Sequence, residues 1–481
     1  MRNSIIILLS AVLLSCTSKT EVAKLQLLPQ PQEVEMGEGM HVLTNKEINP
    51  SVIVEKIVSE IPEATINSDE AYRLQITPDS VFIKATTNKG IYWANQTLAQ
   101  IVEFSDGKSI PTLTITDYPA FRIRGFMHDI GRSYMSVDEI KKHIRLLSKY
   151  KINTFHWHLT ENQGWRLESK IYPQLNDSSS FERHHGQFYT IAEAKEISAY
   201  CREHNMLLIP EVDMPGHSVA FVRAMGVDMQ SKQGVEILKN LMVEICTDIF
   251  PDEPYFHIGT DEVQFTNPNF VPEMVAHIRG LGKKVISWNP GWKYEVGEID
   301  MTQLWSYRGT AQPGIPAIDS KFHYINHFDA FADIVALYNS KVYNQSQGSD
   351  DLAGGIVGMW NDRLLPDDKQ IVLQNNFYPS MLTFAERSWL GGGTEYFDKN
   401  GTNLPTDEND ETFKNFVYFE DRMLWHKNHT FANEPFAYVK QTNVRWRIID
   451  AFPNEGDLLK SFPPEEDILD SYTYDGNQYS S

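Results

Sequence analysis

From Leu25 to about Tyr118, apolar and polar positions alternate with a period of two. The stretch "YRLQITPDSVFIKAT" keeps that alternation on both sides of Pro78-Asp79-Ser80, which predicts a hairpin turning at those three residues. "GIYWANQTLAQIVE" then switches to helical spacing. Residues 25–118 therefore read as a small α+β domain, and no polar constellation in it suggests chemistry. From Arg122 the rhythm changes. Short apolar runs ("IRGFMHDI", "NTFHWHLT", "MLLIPEVD", "YFHIGTDE", "KVISWN", "MTQLWS", "FHYINH", "GGIVGMW") alternate with amphipathic stretches. Two of the latter, "SVDEIKKHIRLLSKY" and "TIAEAKEISAYCREH", open with the residues of a capping box, Ser136 with Glu139 and Thr190 with Glu193.

About eight strand-like runs alternating with helices predict a (β/α)8 TIM barrel, an α/β catalytic domain over residues 119–430, preceded by the small α+β domain. A doubly wound open sheet is the competing topology, but no glycine-rich phosphate fingerprint follows the first strand. The runs end in polar or aromatic residues: Asp129 with Arg132, Glu161, Asp213 with His217, Asp261 with Glu262, Trp288, Trp305, Tyr324, and Trp360 with Asp362. In a barrel these ends converge on one rim, the face that carries the chemistry. Carboxylates, one arginine and several aromatic rings on one rim suit a sugar: rings pack on the C–H faces of a pyranose, and charged groups take its hydroxyls.

The chain has 481 residues and a formal net charge of −21, with 41% hydrophobic and 22% charged residues, the proportions of a folded protein. That charge repels phosphate backbones and anionic membranes, so nucleic acid is not an expected partner. A strongly anionic glycan is also unattractive unless a local basic patch overrides the net charge. The opening "MRNSIIILLSAVLLSC" has an apolar run too short to span a bilayer and reads as an export signal over residues 1–16. Its "LLSC" resembles the bacterial lipoprotein box, in which Cys16 would become the lipidated first residue, followed by a polar tether over 17–24. The expected location is exported and lipid-anchored to the cell envelope. Cys201 and Cys246 lie in helix-like stretches and read as buried apolar side chains rather than a disulfide or metal site.

The stretches "RGFMHDIGRSYMSVDEIKKHI", "KINTFHWHLTENQGWRLESKIYPQL", "IPEVDMPGHS", "FHIGTDEV" and "YPSMLTFAERSW" resemble, in order, the β-N-acetylhexosaminidases of glycoside hydrolase family 20 over most of residues 25–395. The resemblance implies exo-acting, retaining, substrate-assisted hydrolysis of terminal β-linked GlcNAc or GalNAc. In that scheme the substrate's 2-acetamido oxygen attacks C1, an exception to the two-carboxylate mechanism. By position, Glu262 would be the general acid and base, and Asp261 would orient the acetamido N–H. Tyr324 would donate to the acetamido oxygen, and Arg132 would hold the sugar hydroxyls. Trp288, Trp305 and Trp360 would wall the pocket, with Asp213, His217 and Glu161 as the network beside the acid. One carboxyl must be protonated and the other ionised, so Asp261 and the aromatic walls are expected to raise the pKa of Glu262. No cofactor and no metal are implied. The partner is an oligosaccharide or glycoconjugate ending in an N-acetylhexosamine, with the membrane reached through the lipid.

Four positions depart from the family pattern. Thr260 stands where glycine is usual, Glu161 where aspartate is common, and Asn326 where "YIN" replaces Tyr-x-Asp; Asp362 replaces a glutamate after the last tryptophan. Two other readings stand beside this one. A metal hydrolase would use His156, His158 and His257, although core packing explains them better. A non-catalytic or longer-unit-specific glycan-binding lipoprotein would keep the barrel and pocket. Residues 431–481 read as a C-terminal extension, either packed on the barrel or beginning an accessory domain, and "FPPEEDILD" as a solvated acidic face.

Overall fold

The computed structural model describes residues 25–321, 333–396, 398 and 400–442, together with the backbone alone of 324–326, 443–444, 473–474 and 477–478. Strands β1 (Glu33–Val42), β2 (Ile53–Ile57), β3 (Tyr72–Ile76), β4 (Val81–Ala85) and β5 (Ser109–Asp117) form one sheet in the order β1-β5-β3-β4-β2. The hairpin at 78–80 is as the alternation predicts. In β3, Tyr72, Leu74 and Ile76 are buried and the residues between them exposed, and β3 pairs antiparallel with β4 from Tyr72↔Ala85 to Ile76↔Val81. Helix Asn88–Glu103, capped by the Thr87 hydroxyl, lays Trp93, Ala94, Leu98 and Ile101 on that buried face.

The second sheet holds β6 (Ile123–Asp129), β7 (Thr154–His158), β10 (Leu207–Glu211), β11 (Tyr255–His257), β12 (Lys284–Asn289), β13 (Met301–Leu304), β14 (Ala317–Asp319), β15 (Tyr324–Asn326) and β16 (Leu352–Trp360). A short hairpin, β8 (Thr160–Glu161) with β9 (Gly164–Trp165), leaves the rim after β7. All pairings in the large sheet are parallel, and β16 closes it by pairing with both β6 and β14. β14 and β15 lie along the same edge of β16, one opposite Leu352–Gly355 and the other opposite Gly358–Trp360, so the nine strands occupy eight barrel positions. The predicted run "FHYINH" is thus the rim half of a strand that begins at Ala317. Side chains of alternate residues fill the barrel: Ile123, Met127, Ile209, Ile286, Trp288, Met301, Ile318 and Ile356 form one interior cluster.

The two expected capping boxes differ. Thr190 and Glu193 form the reciprocal pair. At Ser136 only the hydroxyl takes part, accepting from Glu139 N–H; the Ser136 N–H donates instead to Asp368 across 3.1 Å, and the Glu139 carboxylate turns to Lys142. Cys201 and Cys246 are buried and free, as expected. Helix Glu411–His429 buries Phe413, Phe416, Phe419 and Met423. The chain after it continues onto the barrel, with Phe431 and Phe436 buried against Tyr378.

Candidate active site

Parallel register aligns the strand ends that build the site. Asp129 pairs with His158, His158 with Glu211, and Glu211 with His257, so four polar side chains stand on one level across β6, β7, β10 and β11. Glu211 is the hub of this level. Its carboxylate lies 2.8 Å from His156 Nε2, 2.7 Å from His158 Nδ1 and 3.1 Å from His257 Nδ1, and it accepts from Trp288 Nε1 at 2.8 Å. Burial favours its neutral form, but the three imidazoles hold its pKa well below the usual carboxylate range. Burial pulls His156 down to about 4, whereas at His158 the burial penalty is outweighed by the charge of Glu211 together with the hydrogen bonds of Glu161 and Glu211 and the charge of Asp129, which hold the ring protonated. His156, Glu211 and His257 bring ligand atoms within 4.8 Å of one another, a spacing that could hold a metal ion. Glu211 already accepts from Trp288 and lies within hydrogen-bond distance of the rings, so its lone pairs are committed to the protein.

Beyond that level lies the rim. A cavity of about 130 Å³ is lined by Arg132, Glu161, Asp213, His217, Asp261, Glu262, Trp305, Trp360 and Asp362. Pockets for drug-sized ligands run to ~300–1,000 Å³, so this one suits a single sugar ring. The structure therefore brings together nine of the residues singled out from the sequence. Trp288 is the exception: it is buried in the barrel interior, donates to Glu211 and packs beneath Trp360 with ring centroids 5.8 Å apart. It supports the wall rather than forming it, because its ring is turned into the barrel interior against Glu211 and Trp360. Tyr324 and Asn326 have backbone partners at Gly358 and Trp360, at the rim end of β16; their side chains lie outside the described residues, as do Cys16 and the rest of 1–24.

Arg132 spans the acidic wall. It reaches Asp129 at 2.8 Å, Glu161 at 2.5 Å and Asp362 at 3.8 Å, with its guanidinium 5.2 Å from the Trp360 ring centroid. Glu161 is the joint of the site: the same oxygen that meets Arg132 lies 2.9 Å from His217 Nδ1 and 3.7 Å from His158 Nε2. Burial raises Glu161, yet these three partners keep it ionised. At His217 burial disfavours the cation, but the hydrogen bond with Glu161 and the charges of Asp213, Glu161 and Asp261 push it up to about 10. Its other nitrogen, Nε2, lies 3.5 Å from Glu262 and 4.0 Å from Asp261.

The acid pair itself is split by its backbone. Gly259 has φ 66°, and a Cβ there would sit 1.7 Å from Asp213 Oδ1, so only glycine fits. Thr260 follows at φ 88°, an outlier for a β-branched residue, and Glu262 at φ 47°. The turn drops Asp261 inward and lifts Glu262 to the lip: their side chains are 9% and 56% exposed. Burial raises Asp261 to about 7, with the His217 charge restraining the rise and the Glu211 charge adding to it. Asp213, more deeply enclosed and facing Asp261, is raised well above the carboxylate range. Asp261, which the sequence reading expected to rest ionised, is thus a carboxyl that burial pushes upward, and burial is what the sequence does not report.

Glu211 and His158 are the support that the list of rim residues missed, and Asp129, named there beside Arg132, belongs to the same level. Strand alternation carries the signal, since Glu211 and Asp213, like His156 and His158, are spaced by two and share the interior face. Asn361 adds to it, donating to the Asp129 backbone carbonyl at 2.6 Å and its carboxylate at 3.1 Å.

Residues 121–234 match the model of the glycosyl hydrolase family 20 catalytic domain, and residues 44–118 match domain 2 of that family. The chain is similar to a beta-hexosaminidase of Vibrio furnissii, 31% identical over 304 residues that cover 51% of this chain and 50% of the relative. It is also similar to a beta-N-acetylhexosaminidase of Cellulomonas fimi, 30% identical over 302 residues that cover 57% and 60%. The chain thus spans about half the length of these curated relatives. The crystal structure of a beta-N-acetylhexosaminidase from Bacteroides fragilis shares the fold, with a TM-score of 0.68, 24% identity, and coverage of 84% of this chain and 96% of that one.

Proposed function

We propose that the chain is a family 20 glycoside hydrolase, an exo-acting β-N-acetylhexosaminidase that removes terminal β-linked GlcNAc or GalNAc by substrate-assisted catalysis. The observation that carries this reading is the split acid pair: neighbours in sequence, with Asp261 at the buried floor and Glu262 at the lip beside Trp305. A sugar entering ring-first against Arg132 and Trp360 would place its 2-acetamido group over Asp261 and its glycosidic oxygen near Glu262. Glu262 then protonates the leaving oxygen and later deprotonates water. Asp261 in its ionised form orients the acetamido N–H and stabilises the positive charge that the oxazolinium intermediate develops there. His217, bridging Glu161 to both acids, holds them in register and supplies the positive charge that keeps Asp261 ionisable. Glu161, longer than aspartate by one methylene, meets Arg132 and His217 together.

The same proposal has the enzyme exported and tethered to the bacterial envelope through lipid on Cys16, supported by the "LLSC" sequence. No helix among the described residues is long and apolar enough to cross a membrane. Fatty-acid labelling of the full chain, lost in Cys16→Ala, tests the anchor.

The activity is tested by hydrolysis of the 4-nitrophenyl β-glycosides of GlcNAc, GalNAc and glucose by wild type and Glu262→Gln. Turnover of the acetamido sugars alone, impaired in the variant, is the expected result and gives the epimer preference directly. Turnover of the glucoside at a comparable rate would sink the substrate-assisted mechanism. Binding of acetamido sugars without turnover of any substrate would favour the glycan-binding alternative.

A further inference from the structure

A second cavity, of about 220 Å³, opens on the outer side of Glu262 and shares Trp305 with the first; Phe265, Pro290, Gly291 and Arg308 line it as well. Resting on the glycosidase reading above, this space lies where the leaving group must sit, because Glu262 faces both cavities and delivers its proton between them. Its shape is fixed by packing. Phe265 stands edge-on to Trp292 at 4.9 Å between centroids, and Trp305 Nε1 donates to the Pro290 carbonyl at 2.7 Å. Two aromatic walls suit the apolar face of a second sugar.

The charge in this cavity is what sets it apart. Arg308 is exposed and makes no ion pair with any described residue; among those residues it donates to the Ser306 hydroxyl, at 3.3 Å from its backbone N–H and 3.5 Å from Nε. Every other charged lining residue of the two cavities belongs to the acidic network of Arg132, His217 and their carboxylates. The loop is held in place by Lys321, whose Nζ donates to the Gly309 carbonyl across 3.4 Å. The one acidic side chain lining this cavity is Glu262, which is uncharged in the form that donates its proton. In a protein of net charge −21, a guanidinium with no ion pair among the described residues is, at the leaving-group side, a local reversal of sign. A planar fork of N–H donors there suits an oxyanion in bidentate fashion.

We infer that Arg308 selects an acidic leaving group: the preferred substrates carry the terminal N-acetylhexosamine on a sugar bearing a carboxylate or a sulfate. Arg308 is a specificity-determining residue in this scheme and touches only the leaving group.

The test uses matched disaccharides that share the acetamido sugar and differ in one charge. One pair has a uronic acid against its methyl ester; the other has a sulfated against an unsulfated hexose. The expected result is that wild type prefers the anionic member of at least one pair by about tenfold in kcat/KM at low ionic strength. That ratio falls toward one in Arg308→Ala, is partly kept in Arg308→Lys, drops below one in Arg308→Glu, and shrinks with added salt. Preference within the first pair alone assigns the carboxylate, within the second alone the sulfate. A wild-type ratio near one in both pairs, or a ratio unchanged by Arg308→Ala, overturns the inference. Calorimetric binding of the same pairs to wild type and Arg308→Ala reads the charge preference without turnover. A protein that shows that preference but cleaves neither these pairs nor the 4-nitrophenyl glycosides would thus fail the glycosidase reading and not this one.

Discussion

Two clusters of buried carboxylates stand at opposite ends of the barrel strands, and they are neutralised in opposite ways. At the lower end, where the small domain meets the barrel, each acid has its own cation. Glu70 takes both terminal nitrogens of Arg124, at 3.1 and 2.7 Å, and Trp93 Nε1 at 2.7 Å. Asp117 takes Lys151 at 2.8 Å, the Tyr72 hydroxyl at 2.6 Å and Trp389 Nε1 at 2.7 Å. At the rim, Asp129, Glu161, Asp213, Asp261, Glu262 and Asp362 share Arg132 and His217, and Asp261 Oδ1 has no hydrogen-bond partner among the described residues. Balanced pairs hold a junction together. An excess of buried acid costs stability and is kept where a ligand supplies what is missing, in the proposed function an N–H and a developing positive charge.

The sharpest test of that contrast is a pair of substitutions with opposite consequences. Asp261→Asn is expected to cut kcat/KM for acetamido glycosides by about 10²- to 10⁴-fold. The same change leaves the unfolding midpoint unchanged or raised, because it removes a poorly solvated acid. At the junction, Lys151→Met leaves Asp117 buried without its cation and is expected to lower the unfolding free energy by about 3–5 kcal/mol. The folded fraction should keep its kcat/KM. Denaturant titration and kinetics on both proteins would break the comparison if the two effects fell on the same variant.

A smaller effect comes from pH. The ionised form of Asp261 is the productive one and its pKa is about 7, so kcat/KM should fall as pH drops through that value and protonates the carboxylate. His217, raised to about 10, is a cation across this range and favours the carboxylate. His217→Gln removes that charge, so the acid-side midpoint should move up by about one unit in a pH–rate profile. No movement would mean that the limb belongs to another group. The smallest effect is expected at Thr260. Its φ of 88° stores backbone strain of ~1–3 kcal/mol. Thr260→Gly releases that strain and gives up a buried methyl worth ~1 kcal/mol, for a net gain of about 1 kcal/mol in thermal unfolding.

Much of this was written in the order of residues. Period-two alternation around Pro78-Asp79-Ser80 determined the hairpin, and eight apolar runs separated by amphipathic helices determined the barrel, because strand and helix spacing are local properties of the chain. The polar ends of those runs identified the rim: nine of them line the first cavity, Asp129 stands behind Arg132, and Trp288 is buried in the barrel interior. What only the tertiary structure decided is depth and register. Glu211 became a hub because parallel pairing set it between His158 and His257, an alignment that strands tens of residues apart cannot announce. Trp288 left the pocket wall because its ring turns into the barrel interior, donating to Glu211 and packing against Trp360. The upward shift fell on Asp261 because the turn at Gly259 and Thr260 buries one of two adjacent acids and exposes the other. Charge and hydrogen-bonding capacity belong to a residue's type, but desolvation belongs to its place in the fold, and desolvation is the largest influence on nearly every titrating group at this site.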